Sequence, residues 1–238
     1  MPVRALATDY DGTIADDGVL EPETVAALER FRASGRHLIL VTGRELAELQ
    51  QVCPRLDLFE LVVAENGALL YDPRSKEEVP LAEPPSAELV ERLKAAKAPG
   101  LSVGRSIIAT WEPFETVVLE AIRELGLELQ IIFNKGAVMV LPATVNKATG
   151  LAAALERLHL AAAAVVGVGD AENDHAFVKT CGFGVAVANA IPALKAEVDI
   201  VTSGARGAGV AELIDRILAT DLEEVVVPRR VRRTATPA

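Results

Sequence analysis

The feature that most restricts the fold is a series of short, continuously apolar segments with amphipathic stretches between them. VRALATD (3–9), HLILVT (37–42), LVVAE (61–65), AAVVGVG (163–169), FGVAVA (183–188) and DIVT (199–202) read as strands. Helical patterns fall at 22–34, 45–52, 146–159, 172–180, 191–196 and 208–219. Continuous apolar strands separated by helices require a parallel sheet covered on both faces, so the chain reads as α/β. Its 238 residues suffice for one large domain, or for a core that carries a smaller one. Half of the residues are hydrophobic but only 4 % are aromatic, so packing must rely on Ala, Val, Leu and Ile.

The middle of the chain has a different character. ALLYDPRSKEEVP (68–80) reads as a hairpin with a charged turn, and the Pro-rich joint LAEPPS follows it. A helix is expected at 86–97, a strand near 101–110 and a helix at 113–125. Two further strands, 127–133 and 136–141, are joined by Asn134-Lys135-Gly136, a tight polar turn that indicates antiparallel pairing. Residues 81–143 are therefore expected to form a small α+β domain, inserted between core segments 1–80 and 144–220. The last stretch, 221–238, gathers Arg229, Arg230, Arg232 and Arg233 beside prolines and reads as a tail or linker, with a further domain after it as one possibility.

The formal net charge of −10 argues against a nucleic-acid-binding surface. It does not exclude an anionic substrate, because a bound cation and a few Lys or Arg can reverse the field inside one cleft. Cys53 and Cys181, the only cysteines, make neither a disulfide framework nor a zinc spacing. The N-terminus reaches acidic residues too soon for a signal peptide, and no apolar run is long enough to span a bilayer. A cytoplasmic location is expected.

The chemistry gathers at strand ends. Asp9 and Asp11 stand two apart where the first apolar run stops, so both side chains leave on one face. In open α/β sheets that edge is the usual ligand site. Aspartates there also serve as turn or capping residues, and Asp16 and Asp17 fit that simpler role. A calcium loop starting at Asp9 fails, because Ile14 and Leu20 stand where Gly and Glu are required. VTGR (41–44) places Thr42, Gly43 and Arg44 between a strand and a helix, where a hydroxyl and backbone N–H groups can hold phosphate. Taken alone it is equally an ordinary strand-to-helix turn. Lys147 opens a helix, against the helix dipole. GVGDAENDHAF (167–177) puts Asp170 at a strand end, with Asn173 and Asp174 around the first turn of the next helix.

The order DxDGT, TGR, Lys, GDxxND, with the large insert between the second and third motifs, resembles the haloacid dehalogenase superfamily of phosphotransferases. The insert looks like the C2B-type cap of its Cof-like branch, and AENGALLYD (64–72) is similar to the segment leading into that cap. The shortness of the insert resembles that of small phosphoglycolate or sugar phosphatases. The resemblance implies a Rossmann-like core with an α+β cap and a Mg²⁺-dependent phosphatase acting on a small phosphorylated metabolite. Asp9 would be the nucleophile and Asp11 the general acid–base. Mg²⁺ would be held by Asp9, the Asp11 carbonyl and Asp170. Phosphate would be bound by Thr42, Gly43, Lys147 and Asn173, with Asp174 in support. Substrate contacts from or near the cap would come from Arg44, Glu65, Asn66, Arg105 and Trp111, with Glu112, Asn134 and Lys135 also available.

Two other readings stay open at this stage. A phosphomutase shares the cap class and the DxDGT nucleophile but needs a second phosphate site, for which the cap offers Arg92, Arg105 and Arg123. A phosphometabolite-sensing module of a larger protein would explain the Arg- and Pro-rich tail.

Overall fold

The structure is a computed structural model that describes residues 2–225. The chain runs β1 (Ala5–Thr8), α1 (Pro22–Ala33), β2 (His37–Val41), α2 (Leu46–Val52), β3 (Leu61–Ala64), β4 (Leu69–Asp72) and β5 (Glu77–Pro80). It continues through α3 (Ala87–Ala95), β6 (Ser102–Val103), β7 (Ile108–Trp111), α4 (Glu115–Glu124), β8 (Leu129–Asn134) and β9 (Ala137–Pro142). It closes with α5 (Lys147–Arg157), β10 (Val165–Gly169), α6 (His175–Thr180), β11 (Phe183–Ala186), α7 (Pro192–Lys195), β12 (Ile200–Val201) and α8 (Arg206–Thr220).

Two sheets result. The larger has the order β12-β11-β10-β1-β2-β3-β4-β5, parallel from β12 to β3 and antiparallel through the β4–β5 hairpin. Strands β1, β2, β3 and β10 are buried almost throughout, as strands covered on both faces must be. Helices α1 and α8 pack on each other as one layer, and α5 and α6 as another. Asp9 and Asp170 immediately follow the neighbouring strands β1 and β10, at their carboxyl ends.

The smaller sheet, β6-β7-β9-β8, is antiparallel and lies in the chain between β5 and α5. Alternation along β9 sorts its faces: Val138 and Val140 pack against Leu89 and Leu93 of α3 and Val118 and Ile122 of α4. Met139 and Leu141 point the other way and join Ala68, Ile107 and Val145 in a separate apolar cluster beneath the sheet.

The strand expected near 101–110 is two strands. The chain turns at Gly104-Arg105-Ser106, where the Glu65 carboxylate accepts from Arg105 N (2.9 Å) and Ser106 N (2.8 Å). That charge-assisted pair of bonds is worth more than two ladder bonds and ends the pairing. The start of the tail also differs from expectation. Asp221 accepts from Val3 N and Arg36, and Leu222 is fully buried, so these residues belong to the core. The arginine-rich remainder, 226–238, lies outside the described residues.

Packing of α5 on the sheet leaves no room for a side chain at Gly150. A Cβ there would lie 2.5 Å from Val63 Cγ1 and 2.6 Å from the Gly67 Cα. Gly150→Ala is expected to cost about 2 kcal/mol through overpacking, read as a lowered midpoint in urea denaturation.

Candidate active site

Asp9 is buried, at 5 % exposure, beneath a cleft of about 790 Å³ that opens between the two sheets. Gly12 makes the turn after it with φ +80°, and a Cβ there would fall 2.4 Å from Asp170 Oδ2, so only glycine fits. The turn brings Thr13 back under the strand ends. Its hydroxyl lies 3.1 Å from Asp9 Oδ2 and 3.2 Å from Asp170 Oδ1, bridging the two carboxylates. Thr13 closes the DxDGT motif, and its spacing of four from Asp9 is the signal in the sequence that locates it.

Lys147 is the buried cation of the site. Asn146 caps α5 by accepting from Ala148 N and Thr149 N, and Thr149 accepts in return from Asn146 N, which sets Lys147 as the first helical residue. Its Nζ lies 2.5 Å from Asp9 Oδ1 and 2.6 Å from Asp174 Oδ1. The other Asp174 oxygen accepts from Asp170 N (2.8 Å) and Ala171 N (2.9 Å). These bonds hold residues 172–174 as a tight 3₁₀ turn, so α6 starts at His175, three residues later than expected.

Burial sets the electrostatics. It pushes Asp9 up to about 7, with Asp174 and Asp170 adding to the rise and Lys147 opposing it. Asp170 is raised too, by burial first, against the pull of Lys135. Burial alone would lower Lys147, but Asp174 and Asp9 hold it above the ordinary lysine range and charged.

Asp11 points into the cleft, where Arg44 grips it through both oxygens, Nε at 2.6 Å and a terminal nitrogen at 2.8 Å. Arg44 also pairs with Glu48 and lies over the Tyr10 ring. Thr42, Gly43 and Asn173 line the same cleft, with the Asn173 amide beside Gly43. Asn173 donates to Asn66 Oδ1 (3.0 Å), while Asn173 Oδ1 and Asn66 Nδ2 are buried without a protein partner among the described residues.

The candidates near the smaller sheet divide. Trp111, half-exposed on β7, lines the cleft. Glu65 and Asn66 do not: both are buried at the junction of the two sheets, and Glu65 is committed to the β6–β7 turn. Arg105 is also placed away from the cleft, because its guanidinium pairs with Glu78 (2.9 Å) on β5. Arg92 pairs with Glu124. The cleft residues not singled out from sequence include Arg206, paired with Asp16, and Asn189, which donates to the Gly12 carbonyl. Asn189 lies in the loop between β11 and α7 and Arg206 opens α8, two places distant in sequence that carry no motif.

The site suits a divalent cation. Asp9, Asp170 and Asp174 offer carboxylate oxygens within 4.8 Å of one another. Asp174 is turned to Lys147 and to the backbone N–H groups of Asp170 and Ala171 and does not line the cleft, whereas Asp9 and Asp170 do and can face a ligand. The Asp11 carbonyl oxygen completes the set, and a positive charge already rests there: Lys135 Nζ lies 2.5 Å from that oxygen and 2.9 Å from Asp170 Oδ2. An all-oxygen set with two carboxylates fits Mg²⁺. Since Asp9 takes up a proton near pH 7, affinity for Mg²⁺ is expected to fall below that pH, by about tenfold per unit. Titration calorimetry in buffers of different ionisation enthalpy will show the released proton.

Comparison with known proteins places these residues in context. The family model described as haloacid dehalogenase-like hydrolase matches residues 6–101 and 112–214. The chain is 34 % identical over 223 residues to the phosphoglycolate phosphatase of Methanothermobacter thermautotrophicus, covering 91 % of this chain and 99 % of that one. It is 30 % identical over 223 residues to the phosphoglycolate phosphatase of Natronomonas pharaonis, covering 90 % and 97 %. Among solved structures, a haloacid dehalogenase-like hydrolase from Bacteroides thetaiotaomicron superposes with a TM-score of 0.77 at 20 % identity, over 90 % of this chain and 99 % of that one. A sugar phosphatase of haloacid dehalogenase subclass IIB superposes with 0.73 at 18 % identity, over 90 % and 98 %. Among the described residues, no helix is long and apolar enough to cross a membrane.

Proposed function

The chain belongs to the haloacid dehalogenase-like hydrolases and is a phosphoric monoester hydrolase; we propose that it hydrolyses a small phosphorylated metabolite, 2-phosphoglycolate first, through an aspartyl-phosphate on Asp9. The observation that carries this reading is the buried Asp9 carboxylate, held by Lys147 at 2.5 Å under a cleft that Asp11 also enters. In the first step an Asp9 oxygen attacks phosphorus and the ester oxygen leaves, taking a proton from Asp11. In the second, Asp11 takes a proton from water, whose oxygen attacks the same phosphorus. Inorganic phosphate departs and the Asp9 carboxylate is restored. Lys147 and the Thr42–Gly43 turn offset the charge of the bound phosphate. Mg²⁺, held by Asp9, the Asp11 carbonyl and Asp170, would supply further charge neutralisation at phosphorus. Arg44 orients Asp11, and must yield it before that carboxylate can carry a proton.

The choice of 2-phosphoglycolate is supported by the names of the relatives; the cleft cations Arg44, Lys135 and Arg206 are each paired with an acid, so a second anionic group would meet one of them only in exchange for Asp11, Asp170 or Asp16. Of the cap arginines that a mutase would need for a second phosphate, Arg92 and Arg105 pair with acids outside the cleft and Arg123 does not line it. The test is phosphate release from 2-phosphoglycolate, glycerol phosphate and hexose phosphates with Mg²⁺, and with a chelator. The highest kcat/KM is expected for 2-phosphoglycolate, with loss of turnover in chelator. Preference for hexose phosphates would overturn the substrate assignment, and no release from any ester would overturn the phosphatase reading.

A further inference from the structure

Lys135 stands where folding alone would not place a lysine. Asn134 pairs with Ala137 across β8 and β9, which leaves Lys135 and Gly136 as a two-residue turn at φ +50° and +85°. The first central position of such a turn favours Asn, Asp or Gly, because a positive φ strains other side chains. The ammonium does not simply trail into solvent. It crosses the cleft to the Asp11 carbonyl oxygen (2.5 Å) and Asp170 Oδ2 (2.9 Å), and only 2.7 Å separates it from where a Cβ on Gly12 would stand. Those two oxygens belong to the set that suits a divalent cation. One carbonyl oxygen cannot hold an ammonium and a metal ion on the same side at once.

We propose that Lys135 is a tethered cation that occupies the metal's donors in the metal-free protein, so that metal entry and withdrawal of the β8–β9 hairpin form one coupled equilibrium. The proposal rests on the metal assignment made above. Asp9 and Asp170 are both buried, and Asp174 lies beside them with a single ammonium, that of Lys147, between it and Asp9. A second cation is needed to offset this excess of buried negative charge, and Lys135 supplies it. A metal ion therefore binds only to molecules whose hairpin has let go, and its apparent affinity is reduced by that fraction. By linkage, bound metal weakens the hairpin's hold on Asp11 and Asp170 by the same factor.

Trp111, the only tryptophan of the chain, reports on the hairpin, since it pairs with Ala137 and lies against Gly136. The experiment titrates Mg²⁺ or Mn²⁺ into the metal-stripped full chain and its Lys135→Gln variant, following heat and Trp111 fluorescence together. The variant is expected to bind about tenfold more tightly, as for a donor set released from a state populated about nine-tenths of the time. Wild-type emission is expected to shift on saturation, whereas the metal-free variant starts near the metal-loaded wild-type spectrum and changes little. Equal affinities overturn the proposal. Tighter binding with an unaltered fluorescence response overturns the coupling and leaves only a through-space charge effect. If neither protein binds metal, the metal assignment itself fails, whatever the phosphatase assay gives.

Discussion

Asp9→Asn will lower phosphate release by about 10⁴-fold or more, and it will do so without weakening the fold. An amide cannot form the acyl phosphate, so the loss falls on kcat in any substrate. The effect on stability runs the other way from most site substitutions. Asp9, Asp174 and Lys147 carry one more negative than positive charge when both acids are ionised, and burial has already pushed Asp9 up to about 7. Asparagine removes the surplus while its carbonyl can still accept from Lys147. The metal-free variant should melt at or above the wild-type temperature, which separates lost chemistry from lost structure. A variant that melts well below wild type would contradict this view of the site.

Lys147→Met has the opposite signature. Methionine fills most of the space of the lysine stem, but it leaves Asp9 and Asp174 facing each other in a buried site without a cation. Removing one partner of a buried ion pair costs about 3–5 kcal/mol. Activity should fall as well, by about 10³-fold, because the positive charge that meets the phosphate is gone. The sign of the pH dependence follows from linkage. With Lys147 gone, Asp9 loses the charge that opposes its rise and stays above its unfolded value, so the penalty is small in the ordinary carboxylate range and grows as pH rises toward the folded value of Asp9. The gap in unfolding free energy between variant and wild type should therefore narrow on acidification. A gap that is constant between about pH 5 and about pH 8 would mean that Lys147 acts through packing rather than charge.

Much of this site was legible in the sequence because each element of it ends an apolar run. Asp9, Thr42 and Asp170 follow β1, β2 and β10, and neighbouring strands of a parallel sheet end side by side, so one-dimensional order becomes spatial proximity. Lys147 was visible as a cation placed against a helix dipole, an anomaly that two carboxylates resolve. What was not legible depended on how the smaller sheet closes over the larger. Nothing in the residues around Glu65 announces that its carboxylate is taken up by Arg105 N and Ser106 N, forty residues on. For the same reason Arg105 and Lys135 looked alike, both as available substrate contacts, although one pairs with Glu78 outside the cleft and the other reaches Asp170 within it. A side chain's target across a domain junction is decided by tertiary geometry, which local pattern does not encode.

The Glu65 clasp carries a mechanical consequence. It fastens the β6–β7 turn at one end of the small sheet, whereas Lys135 projects from the β8–β9 turn at the opposite end, as the pairing of Ile108 with Val140 and of Trp111 with Ala137 requires. A stiff plate pinned along one short edge has its smallest travel at the pin and its largest at the far edge. Glu65 is then a fulcrum and the Lys135 turn the tip of a lever, with β7 and β9 as its arm. A rotation about the clasp would move the Lys135 turn, at the mouth above Asp9, further than it moves the β6–β7 turn.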